Sequence, residues 1–447
     1  MPTSLTEARV SANPSLNGQI GDDLPHVLIV PSEEFVPESS HLAGIFQYHQ
    51  VSALHAAGFT TGALSISQAL SIPMIVRAGA MRILGKPVRN ALDNQPLRAI
   101  AGLGFDKLFR PGRFVTTDRV GGIPVVRIEG FYYAPPSPRT DHFGWIRAGL
   151  IAFDHYCRRF GRPDILHAHN SNHAGLLAHR LSLQTGIPFV LTEHSSYFAR
   201  GLIPRSRYPA LRKVVRAAAG VSFVSPSLRA DFGRALDIDT SAMEWIPNMV
   251  DPSIAEAPLS AAADNPASFT FLSIADMIPI KNHSLLLRAF ALAFGSREDV
   301  RLRIGGSGDL LDSLKELARE LKIVDQVDFV GRLSRSSVAD AIDRCDAFVV
   351  SSLYETFGVV LIEAMARGKP VVSTDCGGPR CIITPGDGLL VAPDDAPALA
   401  AGMQQLVSER SRFHNNEISE RTMQRFGPHQ IVHQLEDFYA RALATHG

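Results

Sequence analysis

The chain has 447 residues and a mass of 48.5 kDa, which is too long for one ordinary hydrophobic core and indicates two or three domains. Hydrophobic residues make up 45% of the chain and charged residues 20%, a composition that excludes a disordered protein. Basic and acidic residues are equally frequent, at 44 each, which argues against a dedicated nucleic-acid-binding protein because such proteins need a surplus of cations.

The even balance hides an asymmetry between the two halves of the chain. Residues 1–250 carry 25 Lys and Arg against 18 Asp and Glu, whereas residues 251–447 carry 19 against 26. Most of the difference comes from residues 67–119, which hold nine basic and three acidic residues among bulky apolar ones. Basic amphipathic stretches can lie on anionic membranes. The segment therefore predicts either peripheral membrane contact or a solvated insertion with a small core of its own.

The composition of the first 25 residues and the spacing of the cysteines indicate the cellular compartment of the protein. Residues 1–25 are polar and contain two adjacent aspartates, so we interpret them as a flexible leader rather than a signal peptide. No uncharged apolar run reaches the roughly 18 residues that a transmembrane helix needs. The cysteines lack the spacing of a zinc site or a disulfide framework, which predicts small buried thiols in a reducing, cytoplasmic compartment. These cysteines are Cys157, Cys345, Cys376 and Cys381.

Short apolar runs alternate with longer amphipathic stretches along the whole first half of the chain. Because a strand that is followed by a helix leads into the next parallel strand, this alternation predicts a parallel sheet covered on both faces. The predicted strands are 26–30, 164–167, 188–191 and 220–224. The predicted helices are 44–57, 142–160, 173–186, 207–218 and 226–235.

The same rhythm restarts in the second half, so we expect two doubly wound, Rossmann-like domains. The predicted boundary lies near 247–267, where four prolines and a run of three alanines occur. The last segment, 428–446, is an amphipathic helix that we expect to fold back across the cleft. The predicted strands of this half are 269–274, 300–304, 327–330, 347–350 and 370–373. The predicted helices are 283–295, 309–322, 335–344, 359–367 and 394–407.

The densest polar motif is the stretch 355–366, which follows the predicted strand 347–350. Ligand-binding loops lie at the carboxyl ends of parallel strands. Gly358 is expected to open a helix, whose free backbone N–H groups favour phosphate. Glu355 precedes this helix and Glu363 lies inside it, so both side chains could reach one extended ligand. The alternative is an amphipathic helix that follows an acidic turn.

Two further loops follow predicted strands of the second half. Lys281 comes shortly after the first of them and is well placed to offset phosphate charge, although a plain surface lysine is the alternative. The run 305–308 reads Gly-Gly-Ser-Gly and precedes a helix. It lacks the lysine of a phosphate-binding loop and the spacing of a dinucleotide fingerprint. Its Gly306 is a candidate for contact with the same ligand.

Polar clusters end two successive strands of the first half and predict the floor of a cleft. Since His167 and His169 alternate along one strand, a zinc site stays open as an alternative. Gly44 follows the first strand and would let the backbone approach a ligand closely. The other candidates in these clusters are Asn170, Glu193 and His194.

Several enzyme classes find no support. There is no Gly-x-Ser-x-Gly elbow of a serine hydrolase and no dinucleotide fingerprint of a nicotinamide dehydrogenase after the first strand. Asp237 and Asp239 have the spacing of metal ligands, but they follow a helix and are interpreted as a solvated turn.

The stretch from Glu355 to Glu363 resembles the two-glutamate motif of the family-4 retaining glycosyltransferases, which have the GT-B fold. The resemblance covers roughly residues 26–440. The segments 165–175 and 192–198 look most like bacterial members that build polysaccharides, often on lipid-linked acceptors. The supporting matches are His194 after a strand, the Lys281 loop, and the segments 223–227, 246–248 and 375–378.

This resemblance implies a division of labour between the halves. Residues 26–250 would bind the acceptor and carry the basic insertion 67–119. Residues 251–427 would hold a nucleotide-sugar donor, and the helix 428–447 would cross back to the first domain. No metal or other cofactor is implied, because a lysine and helix amides can stabilise a departing diphosphate.

The resemblance also implies residue roles. Lys281 would contact the diphosphate, Glu355 the transferred sugar and Glu363 the ribose, while His194 would lie under the sugar near its anomeric carbon. The implied catalytic residues are His194, Glu355 and Lys281. The implied donor contacts are Gly44, Lys281, Gly306, Arg332, Leu333, Glu355, Phe357, Gly358, Val359, Val360 and Glu363, with the amides of Gly358 and Val359 on the β-phosphate. The acceptor candidates are His169, Asn170 and Glu193.

Two positions depart from the family pattern. Many relatives have an arginine a few residues before the lysine, where this chain has Ala-Asp-Met at 275–277. Either Arg332 or Arg380 replaces that cation, or diphosphate binding is weaker. The loop before Gly44 has an alanine at position 43 where a second glycine is usual.

The sequence thus predicts a metal-independent retaining glycosyltransferase of bacterial polysaccharide or glycoconjugate synthesis. It would move a hexose or N-acetylhexosamine to a saccharide acceptor that is lipid-linked, in the cytoplasm and at the inner face of the plasma membrane. Two alternatives stay open. One is a transferase with a soluble acceptor such as a sugar phosphate, and the other is a non-catalytic GT-B module that binds a sugar nucleotide or scaffolds an assembly.

Overall fold

A computed structural model of the chain describes residues 24–35, 45–71, 111–132, 141–258 and 268–445. Gly44, the middle of the basic segment 67–119 and most of the leader 1–25 lie outside the described residues. Within the described part, two open sheets are each flanked by helices.

Among the described residues the first sheet has eight strands, and each strand pairs in parallel with its neighbours except for one antiparallel hairpin at an edge. The strands are β1 (Val27–Val30), β2 (Thr61–Ser71), β3 (Val115–Val120), β4 (Ile123–Tyr132), β5 (Ile165–His169), β6 (Phe189–Glu193), β7 (Gly220–Phe223) and β8 (Glu244–Trp245). The helices are α1 (Ile45–Ala56), α2 (Asp141–Phe160), α3 (Leu176–Thr185), α4 (Tyr208–Ala217) and α5 (Pro226–Leu236).

The strand order is β3-β4-β2-β1-β5-β6-β7-β8. Strand β1 pairs with β2 on one side and β5 on the other, so the chain reverses its direction of winding there. Such a switch point opens a crevice at the carboxyl ends of the strands. All residues of β1, β5 and β6 are buried, which explains why each of these strands begins with apolar residues in the sequence.

The hairpin β3–β4 corrects one prediction. The sequence favoured an insertion over residues 67–119, but β2 extends to Ser71 and β3 begins at Val115, so both ends of that segment belong to the sheet. Strand β3 lies at the edge of the sheet, and each of its residues is exposed or half-buried. An edge strand of this kind has no continuous apolar run to reveal it.

The second sheet has six strands in the part of the chain that the structure describes, and all of them are parallel. Its strands are β9 (Phe269–Ile274), β10 (Val300–Gly305), β11 (Val327–Gly331), β12 (Ala347–Val350), β13 (Val371–Thr374) and β14 (Gly388–Val391). Along the chain, the short helix α6 (Pro252–Ala255) comes after the last strand of the first sheet and before the first strand of the second. The helices around the second sheet are α7 (His283–Phe294), α8 (Leu311–Glu320), α9 (Arg335–Asp343), α10 (Val359–Ala366), α11 (Ala396–Ser408) and α12 (Asn415–Phe426).

The second sheet has its own switch point, because β9 lies between β10 and β12 in the order β11-β10-β9-β12-β13-β14. The predicted bounds of β9 and β12 agree with the structure residue for residue. Strand β14 was not predicted, and neither were β2, β3, β4 and β8 of the first sheet. The two-domain α/β architecture expected from the alternating pattern is confirmed.

The last helix, α13 (Pro428–Ala444), packs on the first sheet. Its Phe438 and Tyr439 share one apolar cluster with Val27 and Val190, and the Tyr439 hydroxyl lies 2.7 Å from Nδ1 of His167. The predicted return of this helix to the N-terminal domain is therefore confirmed. None of the described helices combines the length and the apolar character that crossing a bilayer requires.

Candidate active site

A cavity of about 350 Å³ lies where the carboxyl ends of the two sheets meet. Phe46, His194 and Asn248 line it from the first half of the chain, and loops after β9, β10, β11 and β12 supply most of the remaining wall. The cavity thus occupies the crevice that a switch point in each sheet predicts.

Lys281 and Glu355 meet in this wall. Lys281 ends a 3₁₀ turn after β9, and its Nζ lies 2.7 Å from Oε1 of Glu355 in the loop after β12. The Ser352 hydroxyl donates to the same oxygen at 2.7 Å, and the Ser351 hydroxyl donates to the Lys281 carbonyl at 3.0 Å. The two charged side chains are 26% and 14% exposed, so a ligand in the cavity can reach both.

Helix α10 begins at the cavity, as the sequence predicted. Gly358 precedes it with φ 110° in the left-handed region, which favours glycine. Gly358, Val359 and Val360 all line the cavity. The first N–H groups of a helix have no partner within the helix, so this end offers donors to an anion.

Glu363 lies inside α10, is only 2% exposed and also lines the cavity. Its carboxylate lies 3.1 Å from Nη1 of Arg335, whose Nη2 lies 2.9 Å from Asp251. Asp251 in turn lies 3.2 Å from Nε2 of His49 on α1. Burial raises the pKa of Glu363 to about 7, with Arg335 opposing the increase and Asp251 adding to it. Burial lowers the pKa of His49 to about 4, so its ring is neutral at pH 7.

Three histidines lie at the ends of β5 and β6. Nδ1 of His169 lies 2.9 Å from Nε2 of His194, and the rings of His167 and His169 stack with centroids 4.4 Å apart. Burial lowers the pKa of all three, to about 3 for His169 and well below the ordinary value for the other two. His194 lines the cavity as predicted, and it does so as a neutral ring.

The three acceptor candidates are buried behind this surface. The Glu193 carboxylate accepts from the Ser171 amide at 2.9 Å, the Ser171 hydroxyl at 2.7 Å and the Ser195 amide at 3.0 Å. Asn170 accepts from the His194 amide at 2.9 Å. These bonds hold the loops after β5 and β6 together. Neither residue lines the cavity, nor does His169, so their contact with an acceptor stays a prediction.

Gly306, Arg332 and Leu333 line the cavity as predicted. Gly306 has φ 135°, and a Cβ atom there would lie 1.9 Å from the Ala275 carbonyl oxygen, so only glycine fits. Nε and Nη2 of Arg332 lie 3.1 and 2.9 Å from the Ser307 hydroxyl.

Arg380, the other cation that we considered for the diphosphate, lies away from the cavity. Its Nε donates to Asp375 at 3.0 Å, and its side chain is 73% exposed. Phe357 is also outside the cavity wall. Its side chain is buried against Phe426, with ring centroids 5.7 Å apart. It therefore supports the loop that precedes α10 by packing in the core.

Within the described part of the chain, no group of three or more His, Cys, Asp and Glu side chains is arranged to hold a metal ion. Both nitrogens of His167 lie 2.7 Å from hydroxyls, those of Tyr439 and Thr192. The four cysteines are unpaired and buried or half-buried, and burial raises the pKa of each thiol. The interpretation as buried thiols is confirmed for Cys345 and Cys376, whereas Cys157 and Cys381 are half-buried.

Several cavity residues were not predicted from the sequence. Asn248 belongs to the matched segment 246–248, and Ser352 follows β12, so their positions carried a usable signal. Arg335 begins a helix with no motif around it, and only its contact with Glu363 identifies it. The additional lining residues include Phe46, Asn248, Asp276, His283, Arg335 and Ser352.

Two family models match the chain. The one described as glycosyl transferases group 1 matches residues 261–425, and the one described as Glycosyltransferase Family 4 matches residues 111–254. Together they cover parts of both sheets and the loops that form the cavity.

Two curated relatives and one solved structure illustrate the similarity. Glycogen synthase from Mycobacterium tuberculosis is 27% identical over 59% of this chain and 65% of its own length. Phosphatidyl-myo-inositol mannosyltransferase from Mycolicibacterium smegmatis is 34% identical over 54% of this chain and 62% of its own length. The match thus spans less than two thirds of either relative. The structure of sucrose-phosphate synthase from Thermosynechococcus elongatus superimposes with a TM-score of 0.67 at 21% identity, covering 95% of this chain and all of that one.

Proposed function

Because this chain belongs to the glycosyltransferases of the GT-B fold, we propose that it is a retaining enzyme that transfers a hexose or N-acetylhexosamine from a nucleotide-sugar to a saccharide acceptor. The observation that supports the proposal most strongly is the meeting of Lys281, Glu355, Glu363 and the start of α10 in one cavity. These groups offer a cation, helix amides and two carboxylates to one extended ligand.

In the proposed reaction, the donor replaces the contact between Lys281 and Glu355. The ammonium of Lys281 and the first amides of α10 would hold the diphosphate, which gains charge as it departs. Glu355 would then accept hydrogen bonds from hydroxyls of the sugar and orient it. Glu363 would accept from the ribose hydroxyls. No step in this scheme needs a metal ion.

The chemical step exchanges one bond at the anomeric carbon for another. The bond to the diphosphate oxygen breaks, and a bond to the acceptor hydroxyl oxygen forms on the same face of the sugar. The departing diphosphate accepts the hydroxyl proton, so charge and protons balance. His194, a neutral ring in the cavity wall, would contact the sugar near this carbon.

The cavity wall contains as many Lys and Arg side chains as Asp and Glu side chains. Lys281, Arg332 and Arg335 are opposed there by Glu355, Glu363 and Asp276, and the whole C-terminal half is acidic. Binding of an anionic diphosphate would therefore depend on these few local donors.

We propose that the acceptor is lipid-linked. The relative named phosphatidyl-myo-inositol mannosyltransferase acts, by its name, on a lipid, and the segment 67–119 has the composition of a membrane-surface contact. The acceptor would enter from the side of Phe46, His194 and Asn248. A soluble sugar phosphate is the competing acceptor.

The function is tested in two stages. A thermal-shift screen against UDP-, GDP-, ADP- and dTDP-sugars identifies the donor, because a ligand of the folded state raises the melting temperature. The donor is then incubated with lipid-linked saccharides and with sugar phosphates, with and without EDTA, and NMR gives the anomeric configuration of the product. Inverted product would refute retention, loss of activity in EDTA would refute metal independence, and binding without transfer to any acceptor would favour the non-catalytic module.

Membrane contact has its own test. Full-length protein should sediment with vesicles of anionic lipid and stay in solution with vesicles of phosphatidylcholine. Replacing the basic residues between 77 and 113 by Gln should abolish sedimentation while nucleotide-sugar binding persists, because the proposed donor contacts lie mostly in the other half. Equal sedimentation of both proteins would refute the contact.

A further inference from the structure

The loop that carries Glu355 lies against the first domain as well as against the second. On one side of Glu355, the Tyr354 hydroxyl donates to the Asp231 carboxylate at 2.8 Å. On the other side, the Ser225 hydroxyl donates to the Thr356 carbonyl oxygen at 2.5 Å. Asp231 lies in helix α5, and Ser225 is the N-cap of that helix. Helix α5 therefore holds the chain immediately before and immediately after Glu355.

Helix α5 is anchored in the core of the first domain. The ring of Phe232 is fully buried and packs on Phe198 and Phe223, with centroids 4.7 and 5.2 Å apart. Leu228 on the same helix is also fully buried. The first domain therefore sets the position of α5, and the two hydrogen bonds beside Glu355 transmit that position to the loop.

The second domain holds the backbone of Glu355 itself. The Glu355 amide donates to the Cys376 carbonyl at 3.0 Å, and the Gly378 amide donates to the Glu355 carbonyl at 2.8 Å. A Cβ atom on Gly377, whose φ is 116°, would lie 2.9 Å from the Glu355 carbonyl oxygen, so the two loops are in close contact. Glu355 is thus fixed by the second domain through its backbone and by the first domain through its two neighbours in the chain.

The hydrogen bond between Tyr354 and Asp231 is charge-assisted, because a phenol donates to a carboxylate. Burial, and next the bond to Asp231, raises the pKa of Tyr354 far above its ordinary value, so the hydroxyl keeps its proton at neutral pH. The Asp231 side chain is 16% exposed and also contacts Arg234, which is 78% exposed. Of these two partners Tyr354 is the half-buried one, so water screens its bond to Asp231 less than the ion pair with Arg234.

We propose that Tyr354 and Asp231 are positioning residues, through which the first domain holds the Glu355 carboxylate where the sugar of the donor requires it. Neither residue lines the cavity, so both act through Glu355 rather than on a ligand. A displacement of about 1 Å in such a group can lower the rate on the order of 100-fold. The consequence for sugar transfer rests on the proposed function, whereas the effect on the loop is independent of it.

The effect on the loop is measured by hydrogen exchange of the full-length protein without any ligand. The probes are the amides of Glu355 and Gly378, whose hydrogen bonds break when the two loops separate. Tyr354→Phe and Asp231→Leu should each increase the exchange of these amides by about tenfold, as expected for the loss of one charge-assisted hydrogen bond. Asp231→Leu changes no residue of the loop, so its effect would have to cross between the domains. Wild-type exchange in both variants would overturn the proposal.

Two further variants separate this hydrogen bond from other effects of substitution. Asp231→Asn keeps an acceptor oxygen for Tyr354 and should keep most of the protection. Arg234→Gln removes the exposed partner of the same carboxylate and is the matched control, with exchange expected as in the wild type. Melting temperatures identify any variant that does not fold. Exchange as fast in Arg234→Gln as in Asp231→Leu would indicate a general loosening of α5 and would overturn the proposal.

Kinetics then separates the positioning of Glu355 from a merely structural role. Tyr354→Phe should lower kcat by about tenfold, while the affinity for UDP, GDP or ADP changes little because these ligands lack the sugar that Glu355 would contact. Where Glu355 is already replaced by Gln, the same change at Tyr354 should not lower kcat further. Fully additive effects would overturn the proposal. Faster exchange in Tyr354→Phe and Asp231→Leu, in a protein that transfers no sugar from any donor, would support the proposal and refute the proposed function.

Discussion

The guanidinium of Arg335 lies 3.1 Å from the carboxylate of Glu363, although the two residues are 28 positions apart. The same guanidinium contacts Asp251, which in turn contacts His49 on the first helix of the other domain. The residue proposed to bind the ribose is thus connected through side chains to both domains. Its ionisation depends on its burial and on these neighbours.

Affinity for a nucleotide-sugar should decrease as the pH falls below about 7. Burial raises the pKa of Glu363 from its ordinary 4.5 to about 7, so the carboxylate that would accept the ribose hydroxyls is protonated in acid. Binding should weaken by up to about tenfold for each pH unit below the pKa. Calorimetric titration measures the affinity at each pH. A UDP-sugar is a suitable ligand because it has no phosphate monoester that titrates near pH 6.

Glu363→Gln is the matched control for this pH dependence, and its affinity should not change over the same range. The same variant also tests how Glu363 affects the pH dependence of the free energy of unfolding. Between about pH 4.5 and 7 the folded protein holds a proton on Glu363 that the unfolded chain releases, so this group lowers the free energy of unfolding as the pH rises through that window. In the Glu363→Gln variant, this contribution to the pH dependence of the free energy of unfolding should be absent. A wild-type titration as flat as that of the variant would contradict the raised pKa.

Lys281→Ala and Glu355→Ala should each lower kcat/KM. The expected decrease corresponds to a loss of about 2–4 kcal/mol of transition-state stabilisation. Because the two side chains are also each other's partners at 2.7 Å, the double variant should lose less than the sum. Steady-state kinetics of the four proteins gives the coupling. Lys315→Ala, an exposed lysine on α8, serves as the control, and wild-type turnover in both single variants would refute the assignment of the site.

Gly306→Ala should destabilise the protein and abolish nucleotide binding. A Cβ atom at this position would lie 1.9 Å from the Ala275 carbonyl oxygen, and φ is 135°, so the cavity wall must move. Gly186→Ala is the matched control, since it has φ 72° with open space around the new atom. Its cost should be the backbone strain alone, about 1–3 kcal/mol, with unchanged affinity. Thermal denaturation and calorimetry compare the two, and normal binding by Gly306→Ala would contradict the described wall.

Arg332→Gln should weaken binding of the nucleotide-sugar by about tenfold, which is typical for the loss of a charge-assisted hydrogen bond, whereas Arg380→Gln should leave it unchanged. Arg332 lines the cavity, and Arg380 pairs with Asp375 outside it. Asp276→Asn should have the opposite effect and strengthen binding, because the Asp276 carboxylate lies 3.8 Å from Arg332 and would repel the diphosphate. Dissociation constants decide between the two arginines, and a larger effect at Arg380 would reverse the assignment.

Much of the fold could be predicted because central parallel strands are buried on both faces and form continuous apolar runs. This holds for β9 and β12, whose bounds agree with the prediction. It fails for the inner strands β2 and β4, whose apolar residues are interrupted by polar ones. It also fails for β3, whose residues at the sheet edge are exposed or half-buried, and for β8, which has two residues. In these elements the surroundings, rather than the local apolar pattern, stabilise the strand.

The sequence by itself determined those parts of the site whose residues are close together in the chain. Glu355, Gly358 and Glu363 follow one strand and enter one helix, so their spacing alone predicts that they face one ligand. Only the tertiary structure decided how the residues are paired. Lys281 meets Glu355 across 74 positions, Arg335 meets Glu363 across 28, and His169 meets His194 across 25. Such pairs depend on the order of strands in the two sheets, and burial raises the pKa of Glu363, which no local pattern encodes.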